Sequence, residues 1–416
     1  MSTETVTIQF IGAEGDGIAR TPQGPVFVPF TLPGEEVAVA RVKNNGTAMS
    51  WATTSADRVA PRCRHFGPEG DGGACGGCSL QHWADRPYQD FKRQLVVDAL
   101  KARDIETDVA ALIACPPGER RRVTMSGRLT DKGIVLGYMQ AGSHQIVPVQ
   151  ECPIAHPAIV GSLVAVRRLA SALASGSETF RVVIQLTASG LDLNFTELRK
   201  PDARKRQAAV DLCLKERGIA RISIDSEILV EPSKPMIDFA GVAVSPAPGA
   251  FLQASLRAEE AMAAIVIGHV GKAKRVADLF AGCGTFSLRL ARTAHVHAVE
   301  FEATALAALD QAARHAQGLK PVTIERRDLI RRPLQPLDLK QLEAVVFDPP
   351  FAGAEAQCQE LARSKVSRVA AVSCNPVTLA RDLAILIAGG YRLRSVTPID
   401  QFLWSSHVEA VALLER

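Results

Sequence analysis

The sequence predicts a multidomain α/β protein: an N-terminal β-barrel over residues 1–60, a central α+β domain over 61–245, and a C-terminal open α/β domain over 246–416. Three observations carry this. Short alternating apolar segments separated by Gly- and Pro-rich turns fill the first sixty residues. Strand-like and helix-like pieces then mix without a fixed order. From about residue 246, buried-type β-branched runs alternate with helix-period segments, and successive runs end in an acid or a cysteine. A length of 416 residues suits two to three domains.

Composition narrows the class. Hydrophobic residues make up 47% and charged residues 22%, which suits a chain with a sizeable core. No apolar run is long and uncharged enough to span a bilayer, so no membrane partner is expected. The start, Met1-Ser2-Thr3-Glu4-Thr5, lacks the basic region and apolar core of a secretory signal, and a cytoplasmic location is the expectation. A net charge of +4 permits a polyanionic partner without demanding one. Nothing implies an obligate protein partner. Nine cysteines in a cytosolic chain point to metal binding or catalysis rather than disulfides.

In the first domain, strand-like segments at 6–10, 26–30 and 37–42 are divided by Glu14-Gly15-Asp16-Gly17, Pro22-Gln23-Gly24-Pro25 and Leu32-Pro33-Gly34-Glu35, the pattern of a five-stranded barrel. Gly15-Asp16-Gly17-Ile18-Ala19, Val26-Phe27-Val28-Pro29 and the Leu32 turn resemble the TRAM domain, an RNA-binding barrel of RNA-modifying enzymes. Arg20, Arg41, Lys43 and Arg58 either face phosphate or form a solvated basic surface.

Cys63 is followed by a Gly/acid-rich insert at 68–73 and then by Cys75-Gly76-Gly77-Cys78, whose glycines let the backbone wrap one metal centre. With Cys152 in Glu151-Cys152-Pro153 there are four thiolates, which suit either zinc or an iron–sulfur cluster. Phe66-Gly67, then Cys75-Gly76-Gly77-Cys78-Ser79-Leu80-Gln81-His82, then the distant Cys152-Pro153 resemble the [4Fe-4S] site of the RNA uracil-5-methyltransferase family. The resemblance implies Cys63, Cys75, Cys78 and Cys152 as ligands; the insert departs from the family's shorter gap. Cys115 has no partner spacing and reads as structural.

An amphipathic helix is expected over 86–103, with Leu95, Val96, Ala99 and Leu100 on its apolar side, and it is a candidate to pack on the catalytic domain. Strands are expected near 122–129, 134–139, 143–148, 180–187, 190–195 and 221–224, with a helix over 158–174. Glu119-Arg120-Arg121-Arg122 reads equally well as a phosphate contact or a solvated edge.

In the last domain a helix over 255–267 precedes Asp278-Leu279-Phe280-Ala281-Gly282-Cys283-Gly284-Thr285, a strand, a Gly turn that admits a close ligand, and a helix. A second strand ends in Glu300, placed to take ribose hydroxyls, and a third ends near Asp328. Asp348-Pro349-Pro350 ends a fourth, and a fifth leads into Ser373-Cys374-Asn375-Pro376. The Asp-Leu-Phe-Ala-Gly-x-Gly form resembles the S-adenosylmethionine site of Rossmann-like class I methyltransferases. Ser373-Cys374-Asn375-Pro376 and His407-Val408-Glu409 resemble the uracil-5-methyltransferase family over essentially the whole chain.

The chemistry accounts for these residue types. Uracil carbon 5 is too weak a nucleophile for a methyl sulfonium until a thiolate adds to carbon 6. After transfer a base must remove the carbon-5 proton. The resemblance implies Cys374 as nucleophile and Glu409 as base, with Gln253, Phe280, Thr285, Glu300, Asp328 and Asp348 around the cofactor. It also implies RNA as partner, with a uridine flipped from its stack. Because relatives bearing the cluster mostly act on ribosomal RNA, 23S rRNA is favoured over tRNA. Two departures bear on target choice: Phe351 stands where the family often has a basic residue, and Leu403-Trp404 where it often has Phe-Pro. Rival readings are an amino-group methyltransferase using Asp348-Pro349-Pro350-Phe351 and a non-enzymatic iron–sulfur RNA-binding protein.

Overall fold

The computed structural model describes residues 2–416. The first sheet contains β1 (Ser2–Thr7), β2 (Phe10–Ile11), β3 (Gly17–Thr21), β4 (Gly24–Val28), β5 (Glu36–Val42) and β6 (Asn45–Thr53), in the order β1-β5-β6-β4-β3-β2. Six strands are found where five were expected because the first is bent. β1 pairs with β5, the chain turns at Ile8 and Gln9, and β2 pairs with β3. Ile8 N donates to Glu35 O (2.9 Å) and Gln9 N to Ile18 O (2.9 Å), so one bent strand closes the barrel from both sides. A Cβ on Gly17 would meet Thr31 Oγ1 at 2.1 Å and Ile8 Cγ2 at 2.9 Å, so the approach at the bend requires glycine. Alternate residues Val26, Val28, Val37 and Val39 point inward with Val6 and Ile8.

The barrel corrects part of the phosphate expectation. Arg58 turns inward to the fully buried Glu35 carboxylate (2.5 Å), and Arg41 pairs with Glu4 (3.0 Å). Glu35 also accepts from Leu32 N (2.9 Å), Trp51 Nε1 (3.0 Å) and Ser55 N (3.2 Å). Burial works to raise its pKa, but Arg58 and the two backbone donors outweigh that and hold the carboxyl below its usual range.

The central region holds α1 (Asp85–Lys101), β7 (Arg122–Thr130), β8 (Gly133–Met139), β9 (Ile146–Pro148), α2 (Pro157–Leu173), β10 (Thr179–Thr187), β11 (Gly190–Thr196), α3 (Ala203–Cys213), β12 (Ile219–Ile224) and β13 (Glu227–Val230). Its sheet runs β13-β12-β11-β10-β7-β8-β9, and α2 buries Leu163, Val166 and Leu169 against it. Helix α3 is not among the elements expected from the sequence; Asp202 caps it by accepting from Lys205 N (2.9 Å). It supplies the crossover that the parallel pair β11–β12 requires. Meanwhile α1 buries Val96 and Leu100 with Leu379, Leu383 and Leu386 of the C-terminal core.

A two-strand ribbon, β14 (Ile237–Asp238) and β15 (Ala243–Val244), leads into the last domain. There follow α4 (Leu256–Val270), β16 (Arg275–Leu279), α5 (Ser287–Leu290), β17 (His295–Glu300), α6 (Ala303–His315), β18 (Val322–Arg326), β19 (Ala344–Phe347), α7 (Glu355–Ala362), β20 (Arg368–Ser373), α8 (Pro376–Ala388), β21 (Arg392–Ile399) and β22 (Glu409–Glu415). The sheet order is β18-β17-β16-β19-β20-β22-β21, parallel except where β22 inserts antiparallel between β20 and β21. Apolar clusters cover both faces, which explains the unbroken Val/Ala runs. The order reverses between β16 and β19, the switch point at which such sheets bind ligands beyond their carboxyl ends. Among the described residues no helix is long and apolar enough to cross a membrane.

Candidate active site and cysteine cavity

At the switch point Asp278 is buried in β16, with Oδ2 accepting from Ser287 Oγ (2.6 Å) and Oδ1 unpartnered. Burial pushes its carboxyl up to about 7 against the pull of the Ser287 hydrogen bonds. Phe280 follows with φ 59°, a strained backbone for an aromatic residue and a mark of a turn held by its surroundings. Glu300, ending β17, closes that turn: Oε2 accepts from Gly282 N (2.9 Å), and Oε1 from Phe301 N (2.7 Å) and Glu302 N (2.9 Å). Thr285 lies half-buried in the same turn. Asp328 stands two residues past β18, with Oδ1 accepting from Ile330 N (3.1 Å) and Arg331 N (3.2 Å). The side chains of Thr285 and Asp328 make no hydrogen bond to another candidate.

The remaining candidates converge. β20 pairs with β22 up to Ser373 and Ala410, so the next residues at this edge are Cys374 and Glu409. Asn375 accepts from Val377 N (3.1 Å) and caps α8, with Pro376 at its first position. Its Nδ2 donates to Phe351 O (3.1 Å), pinning the Asp-Pro-Pro loop beside Cys374. Glu409 is 2% exposed. Its Oε2 accepts from Gln401 Nε2 (2.9 Å), while Oε1 has no partner. Gln401 Nε2 also donates to Gln253 Oε1 (2.8 Å), and Gln253 Nε2 donates to Asp348 Oδ2 (2.7 Å). An amide chain thus joins Asp348 to Glu409.

Electrostatics follow from burial. The Glu409 carboxyl is pushed well above its usual range by burial and by the Asp348 charge, which outweigh Gln401. Burial takes Asp348 up to about 7. The half-buried Cys374 thiol is pushed up to about 12 by burial, then by the charges of Glu409 and Asp348. Gln401 was missed in the sequence, where a loop glutamine carries no periodic signal.

Cys374 opens into a cavity of about 760 Å³ shared by three parts of the chain: Phe10 of the barrel, Phe91 and Leu95 of α1, and Phe351, Val377 and His407 of the last domain. Phe351 is 59% exposed there.

A second cavity, of about 480 Å³, is lined by Cys63, Cys75, Cys78 and Cys152 together with Tyr138, Arg120 and Phe402. All four thiols are free. Burial pushes Cys63 up to about 11 and raises Cys75 and Cys78, and the mutual repulsion of the thiolates adds to it. Among the described residues no three His, Cys, Asp or Glu side chains are drawn tightly enough to hold a single ion. The 68–73 insert folds back on its own stem: Asp71 N donates to Arg64 O (2.9 Å), and His65 bonds Asp71 O (2.8 Å) through Nδ1 and takes Gln150 N (3.1 Å) on Nε2. Cys63 therefore keeps its place despite the insert. Cys115 does not line this cavity. Of the arginine run, Arg121 forms an ion pair with the fully buried Glu259, Arg120 lies over the Phe402 ring (6.0 Å) and Arg122 over Phe251 (5.8 Å).

Comparison with known proteins follows the same lines. The family model for tRNA (uracil-5-)-methyltransferases matches residues 202–416, and the TRAM domain model matches 1–43. An RNA methyltransferase of Rhizobium meliloti is 61% identical over the full length of both chains. A 23S rRNA (uracil(1939)-C(5))-methyltransferase of Halomonas elongata is 32% identical, covering 99% of this chain and 89% of its own. The crystal structure of the Pyrococcus abyssi tRNA (uracil-54, C5)-methyltransferase with S-adenosyl-L-homocysteine superposes with a TM-score of 0.77 over 99% of each chain at 23% identity, a likeness of fold.

Proposed function

This chain belongs to the RNA (uracil-5-)-methyltransferase family, and on that footing we propose that it methylates carbon 5 of a flipped uridine in 23S rRNA with Cys374 as nucleophile and Glu409 as base. The observation that carries the reading is the pairing of β20 with β22, which sets one thiol beside one buried carboxylate at the ligand edge of the sheet.

The Cys374 thiolate forms a bond to uracil carbon 6, and the ring electrons move toward the carbon-4 oxygen, leaving carbon 5 nucleophilic. S-adenosylmethionine, when bound, supplies the electrophilic methyl group. Glu409 then takes the carbon-5 proton, the carbon 5–carbon 6 double bond re-forms, and the Cys374–carbon 6 bond breaks to return the thiolate. A carboxylate whose pKa is raised by burial is the stronger acceptor once ionised. While Glu409 and Asp348 are protonated, they no longer repel a thiolate on Cys374.

The residues fit a cationic cofactor. Asp278, Asp348 and Glu409 are buried carboxyl groups at one sheet edge, and Asp278 Oδ1 and Glu409 Oε1 lack partners. Gln253, Phe280, Thr285, Glu300, Asp328 and Asp348 would hold it, with Asp348 near the sulfonium and Glu300 on the ribose.

The four cysteines would hold a [4Fe-4S] cluster. Their arrangement around one cavity supports that reading. The ribosomal assignment is supported by the full-length relative in Halomonas elongata; a tRNA substrate is the second reading, favoured by the name of the matching family model.

The test is denaturing electrophoresis with 5-fluorouridine-substituted 23S rRNA and S-adenosylmethionine. Fluorine at carbon 5 blocks the last step, so wild type forms a stable adduct and Cys374→Ala forms none. An equal adduct in both, or none in wild type with either rRNA or tRNA, overturns the mechanism. An adduct with tRNA and none with rRNA overturns the substrate choice.

A further inference from the structure

The loop joining β21 to β22 carries Gln401 near its start and ends at Glu409, and a lysine from a distant helix grips it. Lys92 lies on α1, is 0% exposed, and ion-pairs with Asp400 Oδ1 (3.0 Å). Its Nζ also donates to Phe402 O (3.1 Å) and to His407 O. All three ammonium protons are thus committed to one loop. Tyr88, one turn earlier on α1, donates to both Asp400 oxygens (3.0 and 2.8 Å) and accepts from Trp404 N (2.7 Å).

Trp404 has φ 58°, a strained conformation for a tryptophan that persists only where its surroundings impose it. On its other side, Trp404 O accepts from Ser79 N (2.9 Å) and Leu80 N (3.0 Å), the residues directly after Cys78. The clamped positions are therefore 400, 402, 404 and 407. They flank Gln401 and stop two residues before Glu409, the two side chains that share a hydrogen bond at the Cys374 edge.

We infer that Lys92, with Tyr88 and Asp400, forms a positioning group that sets Glu409 for removal of the carbon-5 proton. The inference rests on the reading of Glu409 as the base. Lys92 touches no reacting atom; it acts through the carbonyls and the carboxylate it holds. Carbon 6 addition and methyl transfer depend first on Cys374 and the other strand ends, so loss of the clamp slows the final elimination most. A covalent, already methylated enzyme–RNA adduct then builds up on ordinary uridine.

Two variants test this. Lys92→Met with Asp400→Asn removes both charges together, because removing one leaves the other buried and unpaired. Tyr88→Phe loosens the clamp and keeps the ion pair. Each is assayed with the RNA that wild type methylates, labelled with tritium at uracil carbon 5, under single turnover. Tritium release reports elimination, and a detergent-stable band reports the adduct. Release is expected to fall about 10–100-fold in the double variant, the scale of a misplacement of about 1 Å. The adduct should accumulate at nearly the wild-type rate of methyl transfer. Tyr88→Phe is expected to show the same pattern, with release slowed about 5–100-fold for the donated and the accepted hydrogen bond lost with the hydroxyl. Parallel slowing of adduct formation and release, or no slowing, overturns the inference. If the double variant shows no cooperative melt, Tyr88→Phe alone decides.

Glu409→Gln separates the two layers. If it accumulates adduct while the clamp variants do not, the inference fails and the base assignment stands. If it releases tritium like wild type, the base assignment itself falls.

Discussion

Replacing Gln401 with methionine, which keeps the volume and removes the amide, has a calculable effect. Three partners lose their hydrogen bonds: Glu409 Oε2, Gln253 Oε1 and Ala254 N, which donates to Gln401 Oε1 (3.1 Å). The two neutral groups left unpaired cost about 1–3 kcal/mol each in stability. The charged partner matters more for function. Losing a hydrogen bond to an ionised carboxylate costs about 1.5–3 kcal/mol, which is about 10–100-fold in an equilibrium constant. Glu409 already sits above its usual range through burial and the Asp348 charge, with Gln401 as the opposing influence, so the variant moves it higher still. A base acts when ionised, and the rate rises with pH through its pKa. The acidic limb of the tritium-release profile should therefore move to higher pH. Release should fall about 10–100-fold below the limb and converge with wild type above it. The assay is single-turnover release across the pH range, alongside a melting curve to confirm folding. A uniform loss at every pH, with the limb unmoved, would refute the electrostatic reasoning.

Three further outcomes are expected. Asp278 has a folded pKa raised from 3.8 to about 7 by burial, so it favours the native state below its unfolded value and that support is lost as pH rises to about 7. Asp278→Asn should flatten the fall in melting temperature over that window, leaving the part due to Asp348; an unchanged slope argues against it. Glu35 behaves oppositely: its folded pKa lies below 4.5, so it contributes stability above that value and the contribution disappears as pH falls. Glu35→Ala should cost about 3 kcal/mol at pH 7 in denaturant melts, the low end because Arg58 keeps some contact with water, and progressively less as pH falls below 4.5. An anaerobic preparation should be brown with equal iron and acid-labile sulfide, and Cys78→Ser should lose both; zinc without sulfide would contradict the cluster.

The strand ends were legible because physics writes them plainly. A sheet covered on both faces demands continuous apolar runs, and an acid, a Gly turn or Cys-Asn-Pro at the end of such a run stands out against them. Cys374 and Glu409 belong to separate strands, and only the antiparallel insertion of β22 beside β20 makes them neighbours. The basic residues of the barrel were harder to read. Glu35 looks like part of a Leu-Pro-Gly-Glu turn, and nothing local reveals that it folds inward to take Arg58. The crossover helix α3 was obscured by its polar, basic composition.

Lys92 is the instructive case, because its signal is in the sequence. The buried stripe of α1 is not the Leu95, Val96, Ala99 and Leu100 face but Tyr88, Lys92, Val96 and Leu100, each four residues from the next. A lysine in register with such a stripe is driven into the core by its neighbours. There it needs an anion and enough acceptors for three protons. No acid of α1 shares that stripe, so the partner had to come from the surface on which α1 packs, which is the catalytic core. Asp400 is that partner. Since burying such a pair contributes little net stability, a clamp on the loop between Gln401 and Glu409 accounts for the charge better than stability does.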